Sequence, residues 1–302
     1  CERSEDHGSV NTPGYKLLEG FVGRFREYEI TSVREGDALP IMRWRNAQID
    51  ALRQHEPLTD ERLRQVSRAA GLLRVVVLDA DGATSDVSIT NALISSAQGD
   101  ITVTSDDDAT FTNGDITATG AGTVTVTANT AGDADGTGGA LTLDNATIFD
   151  AGSGNIDLDG DENITVGSLT TTGALVNIDS TSGGILDGGD DNTDVLATVA
   201  LLTINAQSGV GTAANGLEIQ VANIDVDNGN GTQTSTGGIF LTEEDAGGAL
   251  IIDRAVISNP SDSDIADISI ATTNGDLTVS GVVTTSGEGT ITLASNDSND
   301  SA

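Results

Sequence analysis

Short alternating runs of β-branched residues, each closed off by Gly, Asn or Asp, fill the chain from residue 75 onward. "ITVTS" at 101, "DITATG" at 115, "TVTVTA" at 123, "NIDLDG" at 155, "NITVGS" at 163, "LLTINA" at 201 and "ADISIA" at 266 are examples. "GDLTVSGVVTTSGEGTITLAS", residues 275–295, holds two of them in one line. Runs of this length and alternation are strands between tight turns. Equivalent positions recur at a coil-like interval: Ile156, then Ile178, then Ile204, and later Ile268, then Ile291. A period in the range of about 20–50 residues is the mark of stacked repeats. A row of β-sandwiches would need large aromatic side chains in its wide cores. Residues 75–302 contain no Trp, no Tyr and only Phe111, Phe149 and Phe240. A narrow interior lined by Val, Ile, Leu and Ala fits a solenoid instead. The expected fold is therefore mainly β: a parallel β-helix (β-solenoid) over 75–302, preceded by a small α/β N-terminal segment. About ten coils, each rising by about 4.8 Å, give a length of about 50 Å.

Charge places the domain boundary near Arg74. Of 13 basic and 47 acidic residues, 12 and 12 lie in 1–74; the remainder has 35 acids and a single cation, Arg254, which accounts for the net −34. Both His, the only Lys, the only Trp and both Tyr also precede residue 75. A surface this acidic has almost nothing with which to hold phosphates, so nucleic acid and anionic lipid are excluded as partners of 75–302. It attracts cations instead. No run of 18 apolar residues exists, so no helical membrane span is expected. Cys1 is the only cysteine, which rules out an internal disulfide.

The lines "NGDLTVSGVVTTSGEGTITLAS", "AQGDITVTS" and "TNGDITATGAGTVTVTA" resemble the repeats of filamentous-haemagglutinin-like bacterial surface proteins, over roughly residues 95–295. That resemblance implies a secreted β-solenoid at the cell surface or outside the cell. It also implies an adhesin or a structural filament module, with glycans or neighbouring copies of itself as partners. The C-terminal "NDSNDSA" contains no capping helix, so more repeats or another chain are expected to cover the final coil.

Residues 1–74 have a helical period. "DALPIMRWRNAQIDALRQ" places Ile41, Trp44, Ile49 and Leu52 near one face, with Asp37 as N-cap and Pro40 in the first turn. "LTDERLRQVSRAAG" is a second helix, capped by Thr59 and ended by Gly71. "YEITSV" reads as a strand before both. Residues 29–61, with Arg34, Glu35, Asp37 and Trp44-Arg45-Asn46, resemble the start of the GNAT-type N-acetyltransferases. The resemblance implies a truncated acetyltransferase fused to repeats. The family's pyrophosphate loop is not matched: Arg68-Ala69-Ala70-Gly71 has its beginning, but Leu73 stands where a small residue belongs. No site residue is carried over, and the alternative role of 1–74 is a cap on the solenoid.

Catalysis is not expected of the repeats. Polysaccharide-acting β-helix enzymes combine acids with a Lys, Arg or His; here the acids Asp106–Asp108, Asp190-Asp191 and Asp253 have only Arg254 among them. Such an enzyme remains the alternative reading. Ca²⁺ is the one cofactor these acids suit. "DLDGDENITVGS" places Asp157, Asp159 and Asp161 at positions 1, 3 and 5 of an EF-hand-like loop, although Glu162 stands where Gly is required and Ser168 where a bidentate acid should be. Asp133 and Asp135 in "DADG" are a second candidate pair. The competing explanation is that Asp and Gly are simply turn residues. Thr-x-Thr recurrence also suits an ice-binding face, but the unequal loop lengths argue against it.

Overall fold

The computed structural model describes residues 75–80, 85–129, 138–189, 192–229, 235–244, 249–258, 267–286 and 288–296. The expectations for 1–74, helices, strand and GNAT-like stretch alike, lie outside the described residues.

Among the described residues nineteen strands stack into three columns, and every pairing between these strands is parallel. The first column contains β1 (Val75–Ala80), β3 (Asp100–Ser105), β5 (Val124–Ala128), β8 (Ile156–Gly160) and β11 (Leu175–Ser180). It continues through the second halves of β13 (Val195–Ala206) and β14 (Leu217–Asn228) to β16 (Leu250–Ile257) and β18 (Leu277–Thr285). The second begins with the first halves of β2 (Val87–Ser96) and β4 (Ala109–Ala118). Then come β6 (Leu141–Leu143), β9 (Ile164–Val166), β12 (Ile185–Asp187), a bridge at Val210, β15 (Ile239–Glu243), β17 (Ile268–Thr272) and β19 (Ile291–Ser295). The third takes the second halves of β2 and β4, then β7 (Ile148–Asp150), β10 (Ser168–Thr170) and the first halves of β13 and β14. The chain is a β-solenoid, as its repeats indicate.

The described residues make about eight turns, not ten. The coils from Val124 to its stacking partner Ile156 and from Ile224 to Ile252 are longer than the recurrence of Ile156, Ile178 and Ile204 indicates. One register differs as well. Ile178 stacks on Leu158, and Ile156 on Val176, two positions away from the pairing inferred from recurrence. Ile178 with Ile204, and Ile268 with Ile291, stack as expected.

Alternation sets the inside and the outside. In β5 Val124, Val126 and Ala128 are buried and the two Thr between them are half-buried. Ile101, Val124, Ile156, Val176, Leu202, Ile224 and Ile252 form one unbroken inward ladder of fully buried side chains. Each contributes roughly 1.5–3 kcal/mol by leaving water. Phe111 and Phe149 meet edge to face with centroids 4.8 Å apart, filling the interior where β4 turns toward β7. In the last coil the inward register is no longer covered by a described strand: Val279, Ile291 and Leu293 are exposed.

Corners use glycine and asparagine differently. Asn91, Asn113 and Asn129 adopt positive φ, and Asn113 Nδ2 donates to Asn91 Oδ1 at 2.8 Å, linking two coils. Gly122, Gly154 and Gly173 stack beneath one another instead. A Cβ on Gly154 would lie 2.0 Å from the carbonyl oxygen of Gly122, and one on Gly173 2.1 Å from that of Gly154. Here glycine is required by the close approach of backbones.

Candidate metal and surface sites

Many acids and amides of the solenoid serve its own backbone. Asp86, Asp100, Asp115, Asn155, Asn163, Asp194 and Asp267 each precede an inward side chain by one residue. Each accepts the backbone N–H of the residue stacked on it in the next coil, for instance Thr123 N–H to Asp100 Oδ1 at 2.9 Å and Ile148 N–H to Asp115 Oδ1 at 3.0 Å. Strand starts have an N–H that the ladder does not use, and these side chains satisfy it. Asp144 does the same from a corner. It accepts the N–H of left-handed Asn113 at 3.0 Å and the hydroxyl of Thr147 at 2.8 Å. Burial pushes its carboxyl up, but the N–H groups of Asn113, Ala146 and Thr147 and the Thr147 hydroxyl prevail and hold it below the usual range.

The first column presents a two-rank polar grid on its outer face. One rank runs Thr102, Thr125, Asp157, Asn177, Thr203, Asp225; the other runs Thr104, Thr127, Asp159, Asp179, Asn205, Asp227. The expected Ca²⁺ residues Asp157 and Asp159 are thus successive outward residues of β8, and Asp161 lies in the corner after it. The stretch 157–168 runs through β8, a corner and β9 to the first residue of β10. Asn177 Nδ2 donates to Asp157 Oδ1 at 2.9 Å and Asn205 Nδ2 to Asp179 Oδ2 at 3.3 Å. Burial, then the charges of Asp179, Asp157 and Asp161, raise Asp159; burial raises Asp179, opposed in part by its bond from Asn205. Asp133 and Asp135 lie outside the described residues, as do Asp190 and Asp191.

Arg254 does not work with the adjacent Asp253. Its guanidinium reaches back one coil to Asp227 and to Asp225, the latter at 3.7 Å. Asp253 instead accepts from Ser280 Oγ at 2.5 Å and Asn223 Nδ2 at 2.7 Å, which hold its carboxyl below the usual range. A bulge is the reason: Ile252 pairs with Val279 but Arg254 with Val282, so Asp253 faces both Ser280 and Gly281.

Among the described residues, two groups of three carboxylates bring oxygens within 4.8 Å of one another, and the sequence pattern did not single out either as a ligand set. One is Asp86, Asp107 and Asp108; the other is Asp187, Asp194 and Glu218. The first is committed to structure, since Asp108 Oδ1 already takes the N–H groups of Gly139 and Ala140 and Asp86 Oδ1 that of Asp108. A one-coil spacing was the available signal for both: Asp86 and Asp108 in the first, Asp194 and Glu218 in the second, stand at equivalent places in successive coils.

Fold and outer face together define a parallel β-solenoid with a hydroxyl-, amide- and carboxylate-covered surface. No family model, no curated protein and no solved structure matches the chain. Among the described residues no helix is long and apolar enough to cross a membrane.

Proposed function

We propose that the solenoid is a non-enzymatic repeat module of a secreted or cell-surface protein, acting as an adhesive or filament-forming spacer. The two-rank grid on the first column supports this reading most directly. It repeats Thr, Asn and Asp coil after coil at the spacing of stacked strands, about 4.8 Å, and so offers a long row of hydrogen-bond partners rather than one reaction centre. Such a row suits glycans or a neighbouring copy of the chain. The resemblance of the "GDITVTS" lines to filamentous-haemagglutinin repeats supports the extracellular setting.

The rival reading is a polysaccharide-acting enzyme. Its specific support is Asp159, a carboxyl raised by burial and by its neighbour Asp179, since a protonated acid beside an ionised one is a glycosidase requirement. The full chain tested on a glycan array, on cells and in a reducing-end release assay separates the two. Saturable glycan or cell binding, or concentration-dependent self-association, with no release of reducing ends is the expected outcome. Turnover abolished by Asp159→Asn would replace the spacer with the enzyme. Saturable micromolar acetyl-CoA binding would instead favour the acetyltransferase alternative attached to 1–74.

A further inference from the structure

We propose that Asp187, Asp194 and Glu218 form a Ca²⁺ site that ties two successive coils together. Asp187 ends β12 in a register position that belongs to the interior: it stacks on Val166, which is fully buried. Its Oδ1 accepts the N–H of Gly189 at 2.8 Å. Its Oδ2 is closed off from solvent and accepts no hydrogen bond. A buried, unpaired carboxylate oxygen is costly, and a fold keeps one where something else completes it.

Two further carboxylates lie close to that of Asp187. Carboxylate oxygens of Asp187, Asp194 and Glu218 lie within 4.8 Å of one another. Asp194 and Glu218 are fixed in place by a reciprocal pair of bonds across the coil step: Glu218 N–H to Asp194 Oδ2 at 3.0 Å and Asp194 N–H to Glu218 carbonyl at 2.8 Å. The one cation among the described residues, Arg254, is engaged with Asp225 and Asp227 on the first column. Three converging carboxylates, one of them with a buried oxygen that accepts no hydrogen bond, call for a cation.

The spacing suits Ca²⁺. Ca–O distances are about 2.4 Å, so oxygens up to twice that far apart can share one ion, and Ca²⁺ accepts irregular sets filled out by carbonyls and water. Mg²⁺ requires about 2.1 Å and a regular octahedron, and Zn²⁺ prefers nitrogen and sulfur. A bound ion would join the end of β12, the entry to β13 and the first half of β14. The site does not depend on the surface function proposed above, and it would hold whatever the grid contacts.

Calorimetric titration of the full chain with CaCl₂ in about 0.15 M NaCl, with thermal melting in Ca²⁺ and in chelator, tests the proposal. One site with a Kd at or below about 1 mM should stand out from diffuse binding. At about 100 times Kd the melting point should rise by roughly 5–10 °C. Asp187→Asn and Glu218→Gln should each weaken this site about tenfold or more. They should melt at or above the wild type in chelator and below it in Ca²⁺, a reversal that a folding defect does not produce. Asp276→Asn, an exposed acid elsewhere, should keep the full response. The proposal is overturned if Mg²⁺, or NaCl at equal ionic strength, reproduces the Ca²⁺ shift, or if both site variants respond to Ca²⁺ as the wild type does.

Discussion

Asp100, Asp115 and Asp267 stand one residue before an inward side chain, where each carboxylate meets an N–H of the following coil. Asp159 and Asp179 are outward residues that meet each other instead. The same residue type is therefore stabilising at one phase of the coil and repulsive at another. Asp159→Asn should stabilise the chain by roughly 0.5 kcal/mol at neutral pH, as removing one of two like charges placed opposite each other across strands does. Because its folded-state pKa is raised above 3.8, the native state binds protons first as pH falls. The penalty of its charge is thus present at neutral pH and disappears as pH drops through the raised value toward 3.8. Melting both proteins at pH 7 and near pH 4 should show the gain shrinking at the lower pH. A gain of equal size at both would mean that charge is not its cause. The abundance of Asp was visible in the sequence, and the turn explanation covered part of it. The capping role was not visible, because it exists only between residues one coil apart.

At the level of a coil, strand positions were legible because a period of two and a lack of aromatics survive in any register. Ile101, Val103, Val124 and Val126 fall inward as the alternation requires. The stacking partner was less legible. Strands with several inward residues keep the same face inward when paired two positions apart, so alternation alone does not choose between Ile178 and the observed partner of Ile156, Val176. The glycine ladder was hidden for a related reason. "GAG", "GSG" and "TTG" look like ordinary turns, yet Gly122, Gly154 and Gly173 touch through their backbones. Gly154→Ala should therefore lower stability by about 1–3 kcal/mol, the range for overpacking a tight site, with an unchanged dependence on denaturant. Urea unfolding measures both. A midpoint equal to that of the wild type would show that neighbouring coils separate there at no cost.

Over the whole molecule the stack multiplies charge as faithfully as it multiplies hydrogen bonds. Residues 75–302 contain 35 acids and one Arg, and parallel stacking sets equivalent positions about 4.8 Å apart. At about 0.1 M salt the Debye length is about 10 Å, so an acid feels its counterparts two coils away; at about 0.01 M it is about 30 Å, and most of the solenoid repels itself. Local bonds such as those to Asp100 and Asp144 oppose this, but they act over one hydrogen bond and are little changed by salt. Repulsion should therefore govern the salt dependence. In chelator, to keep divalent ions out, raising NaCl from about 0.01 M to about 0.5 M should raise the melting point steadily and leave the β-type circular dichroism spectrum unchanged. Most of the rise should come below about 0.2 M, where the screening length falls to the scale of a coil step or two. A melting point that falls with salt would mean that attractive pairs, Arg254 with Asp225 and Asp227 foremost, outweigh the repulsion, and the acidic surface would have to be counted as a source of stability.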